Sequence, residues 1–399
     1  MNKYRFSFLI ISIFSLFLIA CNDKPTSIGS DLLPTEDQIS FSEYDTRIEN
    51  VIQKSDFYEK KILLGSAYKV IVGKNTHSES SALMQFNVYL SDSLKQYALN
   101  NQLTINRAWI ELPLTYWLGN KNLPFDFSVH NINSPWSPVG FSRDSINSLN
   151  YSSIDISSER KITDTLITFD LTPDAVLSWL IAQADTNSGK FNRGFFMKPS
   201  NSSQRFIGFN AVRFIDDSKL PLFYIGFETP TNYKDTIVVT PYTDIHVVES
   251  NLPTSTDDIL LQGGFATQGS IFFDVSSLPK DIIINKAELE LWVNLVNTID
   301  GEPKSDTIGV RVYKDFNEKT FTADSSTITI LKREEDKFIG DIGWIVQKWL
   351  SDSSTQNQGI NLFLYDQLES VAQISLYGSN TTDLALKPRL RIVYLQKNK

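Results

Sequence analysis

Five sequence blocks recur in the same order in the two halves of the chain, and this repetition constrains the fold more than any other feature. Each block of the first copy has a counterpart in the second: ALMQFNV matches SIFFDV, INRAWIELPL matches INKAELELWV, the apolar turn ending in Trp179-Leu180 matches the one ending in Trp349-Leu350, NRGFFMKP matches NQGINLFL, and KLPLFYIGF matches KPRLRIVYL. The differences lie in the polar spacers. Unrelated strand patterns would not keep one order, so the sequence predicts two copies of one module.

Short apolar or alternating stretches, separated by polar turns, make up most of both copies. Their content of Ile, Phe, Tyr and Thr favours strands. Helical spacing of apolar residues occurs only near 172–183 and 341–350, where Thr172 and Asp341 stand at N-cap positions. The prediction is an all-β fold of two tandem jelly-roll β-sandwich domains with one short helix or helical turn each. We expect Trp179 and Trp349, which occupy the same place in the two copies, to be core residues.

The N-terminus predicts export and a lipid anchor. Lys3 and Arg5 precede an apolar run that ends at Cys21, the only cysteine of the chain. The run is too short for a membrane span of about 20 residues, but it has the length of a signal peptide. LIAC resembles a bacterial lipobox, in which the cysteine thiol is acylated and the chain is cut before it. An ordinary secretory signal with an incidental cysteine is the alternative.

These features give a domain plan: signal peptide 1–20, lipidated tether 21–39, first sandwich 40–228, linker 229–235 and second sandwich 236–396. We expect the protein in the cell envelope, anchored to the outer membrane, with surface exposure left open. The net charge of −9 becomes −11 once Lys3 and Arg5 are removed, and the charges are dispersed. Nucleic acid is therefore excluded as a partner, because phosphate binding needs concentrated Lys and Arg.

The block order resembles a family of extracellular jelly-roll modules of DNRLRE type, which are related to carbohydrate-binding modules. The residues that carry the resemblance are Leu63-Leu64-Gly65, Ala108, Trp136, Trp179 and Gly194 in the first copy, and Leu260-Leu261-Gln262-Gly263, Ala287, Trp349 and Gly359 in the second. The second copy departs from the pattern, with Phe316 or Phe321 in place of the loop tryptophan. The segment after Cys21 also resembles lipoproteins of unknown function in Bacteroidota. The resemblance implies carbohydrate binding.

No arrangement of residues in the sequence points to catalysis. The three histidines, His77, His130 and His246, show no metal-ligand spacing, and no nucleophile motif or phosphate loop is present. The sequence therefore predicts no enzyme, no catalytic residues, no metal site and no cofactor. Two alternatives stay open: a polysaccharide lyase or hydrolase, and a structural calcium ion at Asp216-Asp217 or Asp257-Asp258.

Loop aromatics of the first copy are the candidate ligand contacts, because sugar rings stack on exposed aromatic side chains. Tyr116, Trp117 and Asn120 lie where a strand gives way to Gly and Asn, and Trp136 lies in NSPWSPVG. These four residues form the predicted site. The predicted function is binding of a polysaccharide or glycoprotein at the cell surface. The alternative is a structural or assembly lipoprotein that binds a protein partner.

Overall fold

The computed structural model describes residues 39–397 except 186, 188–190, 215–218, 252–256, 322–326 and 352–355. The fold is all-β, as predicted, and consists of two antiparallel β-sandwiches. In the described part of the chain, no helix is both long enough and apolar enough to cross a membrane.

The strands are numbered in chain order. They are β1 (Ile39–Asp45), β2 (Gln53–Glu59), β3 (Lys69–Lys74), β4 (Ser78–Phe86), β5 (Thr104–Leu118), β6 (Phe127–Ile132), β7 (Tyr151–Asp155), β8 (Ser157–Ile162), β9 (Leu166–Leu171), β10 (Phe195–Pro199), β11 (Phe206–Asn210), β12 (Leu222–Glu228), β13 (Lys234–Val239), β14 (Pro241–Ser250), β15 (Ile259–Gln262), β16 (Thr267–Phe273), β17 (Ile283–Trp292), β18 (Gly301–Glu302), β19 (Thr307–Asp315), β20 (Thr320–Phe321), β21 (Thr329–Glu334), β22 (Lys337–Asp341), β23 (Ile360–Leu364), β24 (Gln373–Leu376) and β25 (Arg389–Lys397). The helices are α1 (Asp92–Leu99), α2 (Arg143–Asn147), α3 (Pro173–Ala184) and α4 (Gly343–Ser351).

Each sandwich has its own apolar core. In the first, the strands follow the order β13-β12-β5-β11-β3-β4-β10-β6-β7, with β14 paired to β4, β9 paired to β5 and β8 paired to β9. In the second, the order is β1-β25-β17-β22-β21-β19-β23-β16-β15-β24, with β2 paired to β16. Trp179 packs in the first core and Trp349 in the second, both nearly fully buried, which confirms their prediction as core residues.

The strand pairing departs from the predicted domain boundaries at both ends. β1 and β2 fall within or beside the predicted first sandwich, but they pair with β25 and β16 of the second. Conversely, β14 falls in the predicted second sandwich and pairs along β4 of the first. The first sandwich is therefore inserted between β2 and β15 of the second. An alternating pattern predicts a strand but carries no information on its partner. The prediction therefore assigned these strands to the domain nearest to them in the sequence.

The repeated Asn-x-Gly blocks have the same geometry in both sandwiches. The Nδ2 atom of Asn192 donates to the Phe86 carbonyl at 2.8 Å, and that of Asn357 donates to the Phe273 carbonyl at 2.7 Å. In each block the asparagine Oδ1 accepts from the glycine two residues later, at 2.9 Å and 3.0 Å. The asparagine thus ties the start of one strand to the end of its neighbour, so the motif is explained by structure alone.

Both predicted helices are present, and the first sandwich contains two more. α3 follows Thr172, although the Thr172 side chain makes no capping hydrogen bond. Before α4, Asp341 Oδ1 accepts from the backbone of Gly343 at 2.8 Å. The additional helices are α1, which lies in the polar insertion 91–101, and α2, whose five residues include none that is buried. α1 is short and its one buried residue is Ala98, so its apolar periodicity was too weak to predict it.

Candidate ligand-binding site at the junction of the sandwiches

A third apolar cluster joins the two sandwiches. Ile71, Leu83 and Phe206 of the first sandwich lie outside its own core and belong to one buried cluster with Val371 and Ala372 of the second. Backbone pairing continues across the junction, because β18 pairs with the end of β5. The two sandwiches therefore share an apolar interface with continuous backbone pairing.

A cavity of about 510 Å³ lies at this junction. Its walls come from the end of β2 and the segment after it, from residues 140–147 around α2, from β14, and from the turn at Gly264-Phe265. Phe265 is partly exposed and supplies aromatic surface, Phe141 is nearly buried in the wall, and Arg143 and Asn147 supply exposed polar groups. The volume is in the range of ligand pockets, about 300–1,000 Å³, and the mixed lining suits a polar ligand with apolar faces.

The segment that carries α2 forms the outer wall of this cavity. Ser142 and Ser145 cap α2 reciprocally, since each side chain bonds the backbone of the other residue. The Arg143 guanidinium lies over the Phe265 ring, 5.6 Å from its centroid. Asp144 pairs with Lys61 at 3.0 Å, but both side chains are largely exposed, so the pair contributes little to stability. The polar groups are therefore held in place yet remain open to solvent.

Below the cavity, β14 carries two ionisable groups that are buried. Burial raises the pKa of Asp244 to about 6, although its carboxylate accepts a hydrogen bond from the Val212 backbone. Burial lowers the pKa of His246 to about 3, because the charged imidazolium loses its hydration. His246 is thus neutral at pH 7 and adds no positive charge to the wall of the cavity.

The four predicted contact residues do not form one binding surface. Tyr116 is 1% exposed and its hydroxyl accepts from Val371 N at 3.1 Å, so it is a junction residue and its prediction as an exposed ligand contact is wrong. The Trp117 indole donates to Glu302 at 3.0 Å, and Lys121 Nζ lies 3.6 Å from its ring centroid. One ring edge and one ring face are therefore already occupied within the protein.

The other two predicted residues lie apart from Tyr116. Asn120 is exposed, and its Oδ1 accepts from the backbone of Asn122 at 2.9 Å. Trp136 is half-buried, and its indole donates to the Arg193 carbonyl at 2.8 Å. It lines a smaller cavity of about 290 Å³ that shares Gly140 and Phe141 with the junction cavity. Of the four predictions, Trp136 is therefore the one that adjoins the candidate site.

The main residues of the cavity were missed because they are far apart in the sequence. Phe141, Arg143 and Asn147 belong to a polar spacer of the first copy, and Phe265 belongs to a turn of the second. No local pattern connects these positions. The one available signal was that the 133–150 spacer is longer than its counterpart in the second copy.

A polar cluster on the second sandwich is structural. On the second sandwich, Lys319 Nζ donates to Ser270 Oγ at 2.9 Å, and Tyr313 Oη lies 2.9 Å from the same oxygen. A serine beside a lysine can act as a nucleophile and base, but Ser270 is completely buried. Burial lowers the pKa of Lys319, and its ammonium lies 4.1 Å from the Phe316 ring centroid. The cluster therefore fastens the 315–321 hairpin onto the sheet.

Of the two candidate calcium sites, the structure describes Asp257-Asp258 and does not describe Asp216-Asp217. Asp258 Oδ2 accepts from Asn294, Asn297 and Ser375 at 2.7–3.0 Å, which is the environment of a hydrogen-bonded structural carboxylate. Within the described ranges no three His, Cys, Asp or Glu side chains converge as metal ligands. Cys21 and the Asp216-Asp217 pair lie outside the described residues.

Comparison with known proteins gives no relative: no protein-family model matches the chain, and neither a curated protein nor a solved structure is significantly similar to it. The resemblance to DNRLRE-type modules therefore stays a prediction, and the function has to be argued from the site.

Proposed function

We propose that this chain is a lipid-anchored protein of the cell envelope that binds a glycan, on a polysaccharide or a glycoprotein, without catalysis. The glycan occupies the cavity at the junction of the sandwiches, and Cys21 carries the anchor. The placement in the outer membrane belongs to the same proposal.

The junction cavity is the observation that carries the binding half of the proposal. Sugar rings present apolar C–H faces and a rim of hydroxyls. Phe265 offers a partly exposed ring for one such face, beside the Arg143 guanidinium, and the Arg143 guanidinium and the Asn147 amide offer partners for the hydroxyls. The cations Lys61 and Arg143 in the lining are balanced by the carboxylates Glu59 and Asp144, and His246 is neutral, so the wall carries no net positive charge that would select for an anionic ligand. A cavity with this lining suits a neutral or weakly acidic sugar better than a phosphate or a lipid.

The anchor half of the proposal rests on the sequence around Cys21. Cys21→Ser removes the nucleophile that would be acylated and leaves the sandwiches intact. We expect the substituted protein to leave the membrane fraction and to keep the melting temperature of the wild type. Recovery of the substituted protein in a fraction that only detergent releases would show that another element tethers it.

The binding half is tested by titration. Residues 22–399 would be screened on a glycan array, and the glycan that binds would be titrated against Asn147→Ala and Arg143→Ala. Loss of a neutral hydrogen bond should weaken binding about two- to ten-fold, and loss of a charged one by more than about ten-fold. Both residues are exposed, so the melting temperature should not change.

Asn120→Ala is the matched control, because Asn120 is also an exposed asparagine but lies in the loop predicted from sequence. We expect it to bind as the wild type does. If Asn120→Ala weakens binding while Asn147→Ala and Arg143→Ala leave it unchanged, the glycan binds at the Trp117 loop and the cavity assignment fails.

One observation favours the second candidate, a structural lipoprotein that binds a protein. The rings predicted to stack on sugars are engaged inside the protein, whereas Tyr89 and Val139 of the first sandwich are almost fully exposed. A protein partner would bury about 800 Å² of the surface of this protein and depend on several such anchors. An array that returns no glycan, with Tyr89→Ala or Val139→Ala abolishing assembly of an envelope complex, would favour this candidate.

A further inference from the structure

The outer face of the second sandwich carries an apolar row at the end where the described chain begins. Phe41 is opposite Leu395 in the β1–β25 register, and Leu395 is opposite Ile283 in the β25–β17 register. Directly opposed residues of antiparallel strands point to the same face. Phe41 is 70% exposed and Ile283 65% exposed, and Leu395 lies partly exposed between them. We call these three residues the tether-end patch.

The tether-end patch serves no purpose inside the sandwich. The core face of the same three strands is formed by Tyr44, Ile392 and Ala287, which are in register with one another and buried. The patch therefore belongs to a second, outward row that covers nothing in the described structure.

The charges next to the patch are paired with one another. Glu43, the next outward residue of β1, forms an ion pair with Arg391, and Lys286 of β17 pairs with Glu288. A surface that is apolar in its centre and bordered by compensated charges carries a low cost for leaving water.

The location of the patch is what identifies its occupant. Ile39, the first described residue, pairs with Lys397 and lies two residues before Phe41. At about 3.4 Å per residue, the chain that leads to Cys21 joins the sandwich within about 7 Å of the patch. The intervening segment 22–38 can span at most about 60 Å, so an anchor at Cys21 keeps the patch within reach of the bilayer.

We propose that the tether-end patch rests on the lipid bilayer and fixes the orientation of the anchored protein. This inference depends on the proposed lipidation of Cys21 and goes beyond it, because an anchor alone leaves the sandwiches free to rotate. Phe, Ile and Leu side chains partition into the interface between headgroups and acyl chains. Three of them bind weakly alone, but the anchor supplies a high effective concentration of bilayer.

The experiment places a fluorescent reporter on the patch. In the acylated protein the Cys21 sulfur is a thioether, so Ile283→Cys introduces the one thiol that an environment-sensitive dye can label. Ile154→Cys is the matched control, because Ile154 is 69% exposed but lies on β7 of the first sandwich. Both labelled proteins would be reconstituted into phosphatidylcholine vesicles with and without spin-labelled lipid.

We expect spin-labelled lipid to quench the dye at position 283 at least two-fold and to leave the dye at position 154 within about a tenth of its intensity. Phe41→Ser should reduce the quenching at position 283 without changing flotation of the protein with the vesicles. Phe41→Cys is a second reporter of the same patch if labelling at position 283 disturbs the fold.

Three results would overturn the proposal. The protein floats with the vesicles but the dye at position 283 is not quenched, in which case the anchor stands and the patch faces elsewhere. The protein does not float, in which case the anchor fails and the patch proposal fails with it. In the third, the emission of the dye at position 283 of the Cys21→Ser protein shifts without vesicles and in proportion to protein concentration. A second copy then covers the patch, by pairing along the edge of β1.

Discussion

At the scale of single residues, the Asn-x-Gly blocks give the sharpest test of the fold. Gly194 and Gly359 have positive φ of 75° and 78°, and an added Cβ would lie 2.0 Å from the Met84 carbonyl oxygen and 2.5 Å from that of Ile271. Gly194→Ala and Gly359→Ala should each lower the free energy of unfolding by about 2–4 kcal/mol, because strain and collision add.

Gly140 provides the control for these two substitutions. Its φ is 76°, but an added Cβ would meet nothing within 4 Å. Gly140→Ala should therefore cost only the conformational term, about 1–2 kcal/mol, in the same denaturant titration. Equal costs at all three positions would mean that the close approach of the neighbouring strands is not maintained in solution.

His246 gives a test that depends on pH. Because its folded pKa, about 3, lies below its ordinary value of 6.5, protonation favours the unfolded chain as the pH falls from 6.5 towards 3. The free energy of unfolding of the wild type, minus that of His246→Leu, should decrease by about 1 kcal/mol between pH 7 and pH 5.5. A difference that is constant with pH would show that the imidazole is hydrated.

Asp244 has the opposite effect on the pH dependence of stability. Its folded pKa, about 6, lies above its ordinary value of 3.8, so the stability associated with its protonation is gained as the pH falls through this window. The comparison with His246→Leu removes this contribution, because Asp244 is present in both proteins.

At the scale of elements, the crossed strands decide which pieces of the chain can fold. A fragment of residues 236–396 lacks β1 and β2, which cover the β25 and β16 edges of its sheet. We expect this fragment to be unfolded or aggregated, because unpaired sheet edges attract other chains. Addition of a peptide of residues 39–60 should restore a β-sheet circular dichroism spectrum and a cooperative melt. A fragment that melts cooperatively without the peptide would contradict the strand assignment.

The elements show what the sequence could and could not predict. Periodicity located the strands and helices α3 and α4, because local burial leaves a local pattern. It did not reveal that β1 and β14 pair across the predicted boundary, since pairing is decided by edges far away in the chain. The site was missed for the same reason. The sequence around Tyr116 is typical of a loop aromatic, but in the structure its hydroxyl accepts from Val371 N, 255 residues away.

At the scale of the whole molecule, the junction makes the two sandwiches one unit. The Tyr116 hydroxyl accepts from Val371 N and lies 3.2 Å from Ser370 Oγ, in a fully buried setting. Tyr116→Phe leaves the Val371 N–H without this partner, which should cost about 1–3 kcal/mol in the free energy of unfolding. Tyr89→Phe, at a side chain that is 89% exposed, should change it by less than about 0.5 kcal/mol. Equal values for the two variants would mean that the junction opens in solution.

The insertion of one sandwich within the other also determines the order in which strands can pair during synthesis. Glu43 of β1 and its partner Arg391 of β25 are 348 positions apart. At about 5–20 residues per second, a ribosome needs between about 17 s and about 70 s to add that length of chain. All strands that the inserted sandwich takes from its own stretch exist once Ser250 has been made, whereas β1 waits for almost the last residue. β1, the first strand of the described residues, is therefore made long before its partner β25, and during that interval its unpaired edge can pair with other chains.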